Sequence, residues 1–543
     1  MKKKFRSKLN SDRISDLPEA IRLHILAFLP TSDAVRTSIL SSSWRESWTE
    51  LPALKLRDFE LNKLLRVSDL HKDVTDRLKW ESIVRKREEF YRFLDRALES
   101  RLELKELSLH VPGYVLALKS RVDHWVDSAV VRGVQELELN LGVWDFANYS
   151  LPKSVFGVNS SIAKLNLLRC ELHSSSLVDA WLPSLRKLTL DHVNLDAGVF
   201  GSLPANCPNI EVLDIISCHG FTKLVISGLM KLIELDIYSG GESEIIEIEA
   251  PNLLEFTYTN ENYMEECELK VLACKNLRYL MLHGAPLSDN DLNHFLENLP
   301  VLVRLELFHC NRIKHVRVSS EHLVHLEFID CIRLLKAEID SPNLKTFRYR
   351  EDEVISFRPK GSALKLTEAS ISLTPYMAAD KWYVVLVKFL KKLCHCEVLT
   401  LDISSEEELI LPKKVRMKYQ PPLHGVKKLI VVLMSEQHIR VKLVETLLWL
   451  APCLESLSIY NEYISDCKIF KFTYERPRKG NMKCGCWNSL AISCWRHALT
   501  EVSIEKKRRD EDDTELANFF SKARIDGTMV RFVKNPWPET ERR

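Results

Sequence analysis

The feature that most constrains the fold of this chain is a recurring pattern of apolar residues. From Val134 onward the pattern L-x-x-L-x-L-x-x-N/C-x-L returns many times, with Ile, Val, Phe or Tyr in place of some leucines. Its fourth-position residues follow one another at intervals of 21 to 28 residues. They are Leu137, Leu165, Leu188, Leu213, Leu235, Phe256, Leu280, Leu305, Leu326 and Phe347. Because such a unit buries its strand only against neighbouring units, the spacing predicts a stacked array of one strand and turn per repeat.

This spacing is that of leucine-rich repeats, and it also accounts for half of the 14 cysteines. At the ninth position, where the strand turns and a small polar or thiol side chain is buried, stand Cys170, Cys218, Cys310 and Cys331. Three more precede the next strand by one to three residues and are predicted to pack at the end of the intervening segment: Cys207, Cys274 and Cys453. We therefore interpret the cysteines as buried thiols of a reducing compartment rather than as a disulfide framework.

Looser copies of the pattern extend the array on both sides. Leu107 lies upstream, and Ile371, Leu399, Leu429 and Leu457 lie downstream at gaps near 30 residues. The solenoid is therefore expected over residues 104–460. Its concave sheet would display the residues between the apolar positions, and candidates to read a target are Asp191, Arg304, Glu306 and Arg348. Each of the four could equally be an ordinary solvated side chain.

Three short helices are predicted within residues 12–52. Pro18 just inside the first helix and Glu19 in its first turn are typical of a helix start, and Pro30 ends that helix. A second helix follows the N-cap candidates Thr31 and Ser32, and Trp44 and Trp48 share one side of a third. So small a unit offers little core of its own. On this pattern it is either a cap for the repeats or a module that docks on a partner.

The family resemblance favours docking. The runs DRIS-x-LPE, ILAFLPTSDAVRTSILS and WRESW resemble the F-box of plant F-box proteins. That resemblance implies that contact with a Skp-type adaptor, or the core of the module itself, is carried by Leu17, Pro18, Ile25, Leu26, Leu29, Pro30, Val35, Leu40 and Trp44. One departure is that Ser42 and Ser43 replace the basic pair usual before the Trp-Arg, which removes charge but no apolar anchor.

The resemblance covers most of the chain. Residues 122–126 (VDHWV) and 129–137 are similar to the segment that opens the repeats in plant F-box proteins. Trp487, Cys494 and residues 499–504 and 515–520 are similar to the FBD domain that closes many of them, although Lys506 and Lys507 replace its usual Gly-Phe. The predicted organisation is an F-box at 12–52, a helical linker at 53–103, the solenoid at 104–460 and an FBD-like region at 461–535. The predicted fold class is thus α/β, a small three-helix F-box followed by a leucine-rich-repeat solenoid.

The linker contains a helical stretch around Phe90, Phe93, Leu94 and Leu98 that could seat the F-box against the first repeat. Elsewhere, the net charge of +2 gives no overall field that would attract nucleic acid or anionic lipid. No apolar stretch reaches the length of a membrane span, and the basic N-terminus lacks the apolar core of a secretory signal. We expect protein partners and a location in the nucleus or cytoplasm.

The sequence contains no phosphate loop, nucleophile elbow or zinc-protease motif, and only 16 glycines. The best metal candidate is a set of four side chains with atypical spacing, Cys484, Cys486, Cys494 and His497. We interpret these as packed thiols of a loop, and a zinc site is the alternative. Cys394, His395 and Cys396 form a weaker candidate. The basic run 506–509 followed by the acidic run 510–513 is either a nuclear-import patch or a solvated loop, which we favour.

The resemblance implies the substrate-recognition subunit of a Skp–cullin–F-box (SCF) ubiquitin ligase, with no catalysis, cofactor or metal of its own. Its implied partners are the adaptor, through it cullin and RING subunits, and a target protein. A competing hypothesis is a non-ligase scaffold that uses the F-box as a cap or for adaptor binding alone. A third is an enzyme built on the Cys/His cluster near residue 484.

Overall fold

The computed structural model describes residues 14, 16–29, 31–57, 77–111, 116–142, 149–240, 245–262, 267–351, 356–359, 366–373, 379–434, 440–461, 466–474, 495, 499–506, 514–522 and 529–534. The chain divides into two compact units, residues 1–274 and 275–543.

The first unit opens with three short helices, as the sequence predicts. They are α1 (Glu19–Ala27), α2 (Thr31–Arg36) and α3 (Ser42–Thr49). Pro18 is the N-cap residue of α1, and Glu19 stands in its first turn, where a negative charge suits the helix dipole. The side chain of Ser41 caps α3 by accepting a hydrogen bond from the Trp44 amide. The neighbouring Ser42 and Ser43 therefore form the first turn of a capped helix.

The main sheet of the first unit is a parallel array with one strand per repeat. Its strands are β1 (Ala53–Arg57), β2 (Glu106–His110), β3 (Glu136–Asn140), β5 (Lys164–Leu168), β7 (Lys187–Asp191), β9 (Val212–Ile216), β11 (Glu234–Ser239) and β13 (Glu255–Asn260). The predicted fourth-position residues are aligned from Leu107 to Phe256, each pairing with its counterpart in the next strand. Side chains of the fourth and sixth positions are buried, and those of the third, fifth and seventh positions point to the other face.

One repeat strand was not anticipated. Residues 53–57, assigned to the linker from sequence, form β1, in which Leu54 pairs with Leu107 of β2. The hydroxyl of Thr31, expected to cap α2, instead accepts a hydrogen bond from the Lys55 amide at 2.9 Å. The three helices therefore run directly into the sheet, and the rest of the linker region contains α4 (Arg77–Glu99).

The helix α4 packs where its sequence predicts. Leu94 and Leu98 are buried, and the Phe93 ring stacks on Trp48 of α3 with 5.8 Å between ring centroids. On its other side, Asp95 accepts hydrogen bonds from Trp125 and Arg121 of α5 (Lys119–Val131) at 2.6 and 2.7 Å. The linker helix thus joins the N-terminal helices to the repeats.

Five repeats leave their strand through a non-glycine residue in the left-handed region of the Ramachandran plot. The φ angle is 57° at Arg169, 50° at His192, 47° at Ser217, 49° at His309 and 52° at Asp330. At this eighth position the backbone N–H donates to the seventh-position carbonyl of the next strand, as Ser217 does to Tyr238 at 2.8 Å. This corner bond offsets the cost of a positive φ in residues other than glycine.

Shorter strands and helices line the remaining sides of the first unit. Two small parallel sheets consist of β4 (Tyr149–Ser150), β6 (Cys170–Leu172) and β8 (Asn194–Leu195), and of β10 (Lys223–Ile226), β12 (Ile245–Glu249) and β14 (Glu268–Leu272). The helix α6 (Val199–Asn206) buries Val199, Phe200 and Leu203.

The second unit repeats the architecture. Its main parallel strands are β15 (Tyr279–His283), β16 (Arg304–Phe308), β18 (His325–Ile329), β20 (Thr346–Glu351), β22 (Glu368–Leu373), β23 (Val398–Ile403), β24 (Lys428–Leu433) and β25 (Ser456–Asn461). Register follows the predicted residues except in one strand. Phe347 pairs with Ala369 rather than with the predicted Ile371, which pairs with Tyr349. The small side chain of Ala369 occupies the fourth position of β22. The sequence pattern therefore selected the next large apolar residue, Ile371, in its place.

Other elements complete the second unit. A small parallel sheet contains β17 (His315–Ser319), β19 (Lys336–Asp340) and β21 (Ser356–Pro359). The helices are α7 (Asp289–Glu297), α8 (Ala379–Leu390), α9 (Lys413–Lys418), α10 (Val441–Leu450) and α11 (Thr514–Ser521). At the C-terminal end β26 (Asp466–Tyr474) runs antiparallel to β25, β27 (Leu499–Lys506) is antiparallel to β26, and β28 (Met529–Lys534) is parallel to β27.

This C-terminal sheet occupies part of the region expected to be FBD-like. The LTEVSI run forms most of β27 and the ELANFF run lies in α11, whose Phe520 ring contacts Phe470 and Phe472 of β26. Trp487 and Cys494 lie outside the described residues, and the FBD assignment stays a prediction.

The ninth-position cysteines adopt the buried role predicted for them. All four are buried. The thiols of Cys218, Cys310 and Cys331 donate to the sixth-position carbonyl of the preceding repeat at 3.3 to 3.4 Å. Cys207 and Cys274 are also buried, but Cys453 is exposed, so the prediction that Cys453 packs inside was wrong. Cys453 follows α10 and is exposed as a residue, although partial burial of its thiol still raises the pKa of that group.

Candidate functional site

The N-terminal helices present an apolar surface to solvent. We call it the helical patch; its large exposed side chains are Ile21, Ile25, Phe28, Leu29, Ile39 and Leu40. Phe28 is 77% exposed and Ile39 is 88% exposed, which is unusual for side chains of this size in a folded protein. Several large exposed apolar side chains on so small a helical module indicate a place where another protein binds.

Eight of the nine residues proposed from sequence for partner contact lie in the described part of the chain and fall into two groups. Ile25, Leu29, Leu40 and Pro18 are exposed, and Leu17 and Val35 are half-buried, so all six reach the surface. Leu26 and Trp44 are buried, with 0% and 2% of their surface exposed, and they belong to the interior of the module. Pro30 lies outside the described residues.

Polar bonds fix the helices beneath this patch. The Trp44 indole donates to the Ile14 carbonyl at 3.1 Å, and the Arg22 Nε donates to Ser47 Oγ at 2.9 Å. Arg22 also donates to the Leu17 carbonyl. These part-buried donors find acceptors and hold α1 against α3 beneath the patch.

Three side chains of the helical patch, Ile21, Phe28 and Ile39, are absent from the adaptor-contact residues predicted from the sequence. Ile21 and Phe28 belong to the apolar stripe of α1, and Ile39 follows Val35 by four residues. The signal that could have found them is the excess of apolar residues, since these short helices carry more apolar side chains than they can bury against one another.

The second candidate surface is the side of each main sheet that carries the third, fifth and seventh repeat positions. We call it the outer strand face. All four of the candidate target readers stand on it. Asp191 is bonded to His192 Nδ1 at 2.6 Å, and Arg348 is exposed, with its nearest carboxylate contact 4.0 Å away at Glu327. Arg304 and Glu306 belong to a cluster of interacting side chains, so they are not freely solvated.

That cluster is an ion network on β15 to β20. Glu306 accepts hydrogen bonds from Tyr279 at 3.0 Å and from Arg304. The Nε2 atom of His325 lies 3.4 Å from Glu306 Oε1 and 3.1 Å from Glu327 Oε2, and its Nδ1 lies 2.6 Å from Thr346 Oγ1. Glu306 is only 5% exposed, so this carboxylate serves its neighbours rather than a partner.

Within this network the pKa of the Glu306 carboxyl is lowered and the pKa of the His325 imidazole is raised. Burial raises the pKa of Glu306, but hydrogen bonds from His325, Arg304 and Tyr279 outweigh it and bring the pKa down to about 2. Burial lowers the pKa of His325, but its bonds to Glu306 and Glu327 outweigh that effect and raise the pKa above the ordinary value. The network therefore favours the charged form of the imidazole between the two carboxylates.

The same three side chains have the spacing of a metal site. One donor atom each from Glu306, His325 and Glu327 lies within 4.8 Å of the others, and such a donor set could accept a divalent cation. In the structure Arg304 and His325 already contact these carboxylates. The arrangement is satisfied without an ion.

The candidate zinc ligands Cys484, Cys486, Cys494 and His497 lie outside the described residues. In the weaker candidate, Cys396 is buried with its thiol donating to the Val398 carbonyl at 2.7 Å, and His395 is exposed. These two side chains point apart, as expected for neighbours in a chain. Within the described residues no helix combines the length and the apolar character needed to cross a bilayer.

Comparisons with known proteins agree with this geometry. Residues 14–55 match the F-box domain family. Residues 98–277 and 266–482 match the family described as At1g61320/AtMIF1, LRR domain. The chain is 29% identical over 382 residues to the F-box/FBD/LRR-repeat protein At2g04230 of Arabidopsis thaliana, covering 68% of this chain and 77% of that protein. It is also 29% identical over 320 residues to the F-box/LRR-repeat protein At3g26922 of the same plant, covering 56% and 85%.

Proposed function

Because this chain belongs to the family of plant F-box/LRR-repeat proteins, we propose that it is the substrate-recognition subunit of an SCF ubiquitin ligase. The F-box and the repeats together support a role as a substrate adaptor. The observation that carries the proposal is the helical patch, an exposed apolar surface on the module that F-box proteins use for docking. The chain itself makes and breaks no covalent bond in this scheme.

The first step is docking on a Skp-type adaptor. F-box domains generally bind such adaptors, and the contact would involve Leu17, Pro18, Ile25, Leu29, Pro30, Val35 and Leu40. Leu26 and Trp44 would act from inside the module by keeping α1 and α3 together. Interfaces of this kind depend on a few central apolar anchors, each contributing about 2 kcal/mol or more.

The second step is capture of a target protein by the outer strand face of the repeats. The adaptor would link the chain to cullin and RING subunits, and ubiquitin transfer would gain from the high local concentration of target lysines near the conjugating enzyme. The role of this chain is positioning. We place this activity in the nucleus or cytoplasm, where the ubiquitin machinery operates.

The test of docking is recovery of a Skp-type adaptor co-expressed with the full chain. The double variant Leu17→Ala/Pro18→Ala and the double variant Ile25→Ala/Leu29→Ala should each reduce adaptor recovery at least about 30-fold, as expected for the loss of one anchor or more. The second pair consists of exposed residues, so it should leave the circular dichroism spectrum unchanged.

The matched control removes two exposed apolar side chains elsewhere in the same unit. Leu102 is 99% exposed and Val131 is 83% exposed, and the variant Leu102→Ala/Val131→Ala should keep full adaptor recovery. Wild-type recovery by both F-box variants would sink the proposal.

Two further measurements separate the competing hypotheses. A cullin that co-purifies with the adaptor-bound chain supports a ligase subunit, whereas adaptor binding without any cullin favours a scaffold. Stoichiometric zinc in the purified chain would instead support a centre built on Cys484 and its neighbours, and elemental analysis without zinc removes that hypothesis.

A further inference from the structure

Exposed lysines lie on the helical side of the repeats in the second unit. We call six of them the lysine face; they stand on α8, directly after it, on α9 and on α10. All six residues are exposed: Lys381, Lys388, Lys391, Lys413, Lys414 and Lys442. The opposite side of α8 is buried, and its Phe389 ring lies 6.1 Å from the buried Tyr349 ring of β20. The lysine face therefore points away from the sheet, on the side opposite the outer strand face.

Direct contacts join the three helices that carry these lysines. The Trp382 indole of α8 donates to the Glu408 carbonyl, in the segment that leads to α9, at 2.9 Å. Arg416 of α9 lies 3.5 Å from Glu445 of α10. The helices α8 and α10 bury their apolar sides against the repeats. The exposed lysines of consecutive repeats therefore share one side of the second unit.

The carboxylates of these segments are held by arginines. Arg440 bonds Glu406 at 2.5 Å and also bonds Glu407, and Arg416 is the partner of Glu445. Among the residues that the structure describes, none of the six lysines forms an ion pair. The arginines therefore meet the acidic side chains, and the charge of the lysine face has no direct partner.

The positions of these lysines work against helix stability. Lys413 and Lys414 stand in the first turn of α9, Lys442 stands in the first turn of α10, and neither turn contains an acidic residue. The dipole of a helix disfavours positive charge at its N-terminal end. Lys388 and Lys391 are like charges three residues apart, which also opposes helix formation. Helix formation therefore does not account for the basic character of this surface, whereas a negatively charged partner would compensate all of its charges.

We propose that the lysine face binds an acidic segment of a partner protein, rich in aspartate and glutamate. The proposal does not depend on the ligase role, because it concerns the side of the repeats opposite the outer strand face. An ammonium group is a compact charge on a flexible stem, so it attracts carboxylates without demanding one fixed geometry. Lysines spread over three helices therefore suit an acidic chain better than one small anion. Complementary charge of this kind speeds association and selects partners by their sign.

Nucleic acid and anionic lipid fit this surface less well. Sites for single-stranded nucleic acid stack bases on exposed aromatic rings, and the aromatic side chains of α8 and α10 are buried or half-buried. A membrane-binding helix turns its apolar side toward the lipid, whereas α8 and α10 turn theirs into the repeats. Met417 of α9 is 77% exposed, and one such side chain gives little insertion into a bilayer.

The experiment measures binding of a fluorescent deca-glutamate peptide to the full chain by fluorescence anisotropy, at about physiological ionic strength. Deca-glutamine serves as the uncharged reference peptide. The variant Lys381→Glu/Lys414→Glu should bind deca-glutamate at least about tenfold more weakly than wild type. Both substitutions place an acid in the first turn of a helix, where it suits the dipole, so the unfolding midpoint should not fall.

The matched control is Lys275→Glu/Lys345→Glu. Both lysines are exposed and precede strands of the second unit, outside its helices. This variant lowers the net charge of the chain by the same amount as the test variant, so it separates the lysine face from the overall charge. It should change the affinity for deca-glutamate by less than about threefold.

The proposal is overturned if the control variant loses as much affinity as the lysine-face variant, or if deca-glutamine binds wild type as tightly as deca-glutamate does. Binding that persists unchanged at about 0.5 M salt would also overturn it, because exposed charges are screened there. So would tighter binding of wild type to duplex DNA or to phosphatidylserine vesicles than to deca-glutamate. Full adaptor recovery by the lysine-face variant is expected, because the helical patch lies in the first unit, and it would show that the two surfaces act separately.

Discussion

The guanidinium of Arg101 lies over the indole ring of Trp48, 4.9 Å from its centroid, and donates a hydrogen bond to the Trp48 carbonyl at 3.1 Å. Arg101 is 3% exposed and also donates to the Ala97 carbonyl. It connects the last F-box helix, the end of α4 and the start of the repeats in one core. The helical patch is therefore held in a fixed position relative to the strands of the first unit, which a flexible linker would not achieve.

Replacement of Arg101 should loosen this junction. Burial lowers the pKa of Arg101 to about 10, so the side chain stays charged at neutral pH. We expect Arg101→Ala to lower the free energy of unfolding by about 2 to 4 kcal/mol, through loss of charged hydrogen bonds and of the cation–π contact. Arg101→Lys should keep only part of this stabilisation, because one ammonium group cannot reproduce the planar set of donors of the guanidinium. Denaturant unfolding followed by tryptophan fluorescence measures the change.

The control for that measurement is Arg45, which is exposed on α3. Arg45→Ala should change the free energy of unfolding by less than about 0.5 kcal/mol. Equal effects of the two substitutions would show that the Arg101 contacts contribute nothing specific.

Neutralisation of Asp236 should stabilise the protein at neutral pH. Because the pKa of Asp236 is raised in the folded chain, its charged form costs stability above its folded pKa, and the cost disappears as the pH falls through that value. Asp236→Asn should therefore raise the free energy of unfolding by about 0.5 to 1 kcal/mol at pH near 7. The gain should vanish under acidic conditions where the wild-type carboxyl is protonated. Asp179→Asn, at an exposed position, should show no such pH-dependent gain.

Removal of His325 should destabilise the second unit in a pH-dependent way. The pKa of His325 is raised in the folded chain, so its stabilisation is fully present below its ordinary value and is lost as the pH rises through the folded value. His325→Ala should cost about 1 to 3 kcal/mol at pH near 6, where two carboxylates lose their cation, and less at pH near 9. Thermal unfolding at both pH values tests this.

His322 provides the comparison for that variant, since it is exposed and lies three residues away. His322→Ala should be neutral at both pH values. A constant cost of His325→Ala across the pH range would mean that its packing matters and its charge does not.

The ninth-position thiols should resist alkylation. Burial raises the pKa of Cys170 and of Cys218 to about 12, and the thiolate is the reactive form. Iodoacetamide at pH near 8 should label the exposed Cys453 in the native protein and leave these two unmodified until the chain is unfolded. Peptide mapping by mass spectrometry reads each site separately, and native labelling of Cys218 at the rate of Cys453 would contradict the buried role.

Repeat register was predictable wherever a large apolar side chain marks the fourth position. Leu213, Leu235 and Phe256 align as expected because burial of these side chains leaves one register in which the apolar sides coincide. The pattern was misleading at Ile371, since Ala369 takes the aligned position. The pattern did not identify Leu54 as a repeat position. The α4 segment separates β1 from β2, so the interval between Leu54 and Leu107 is far longer than one repeat.

The sites were predictable to different degrees. The F-box motif located the helical patch, but the motif could not separate buried Leu26 and Trp44 from exposed Ile25 and Leu29, since all four are apolar. The facing carboxylate pairs Asp214–Asp236 and Glu234–Glu255 were not anticipated. Their members are 22 and 21 residues apart along the chain and become neighbours only through pairing of β9, β11 and β13.

The sequence by itself determined the repeat unit, most positions of the main strands and the three N-terminal helices, because these follow from local periodicity and from which side chains must leave water. Only the tertiary structure decided which apolar residues remain at the surface, which charges face one another and how α3 meets the repeats through Arg101. Those outcomes depend on packing between segments far apart in the chain, and no local pattern encodes the distance between Trp48 and Arg101 or the register that places Asp214 against Asp236.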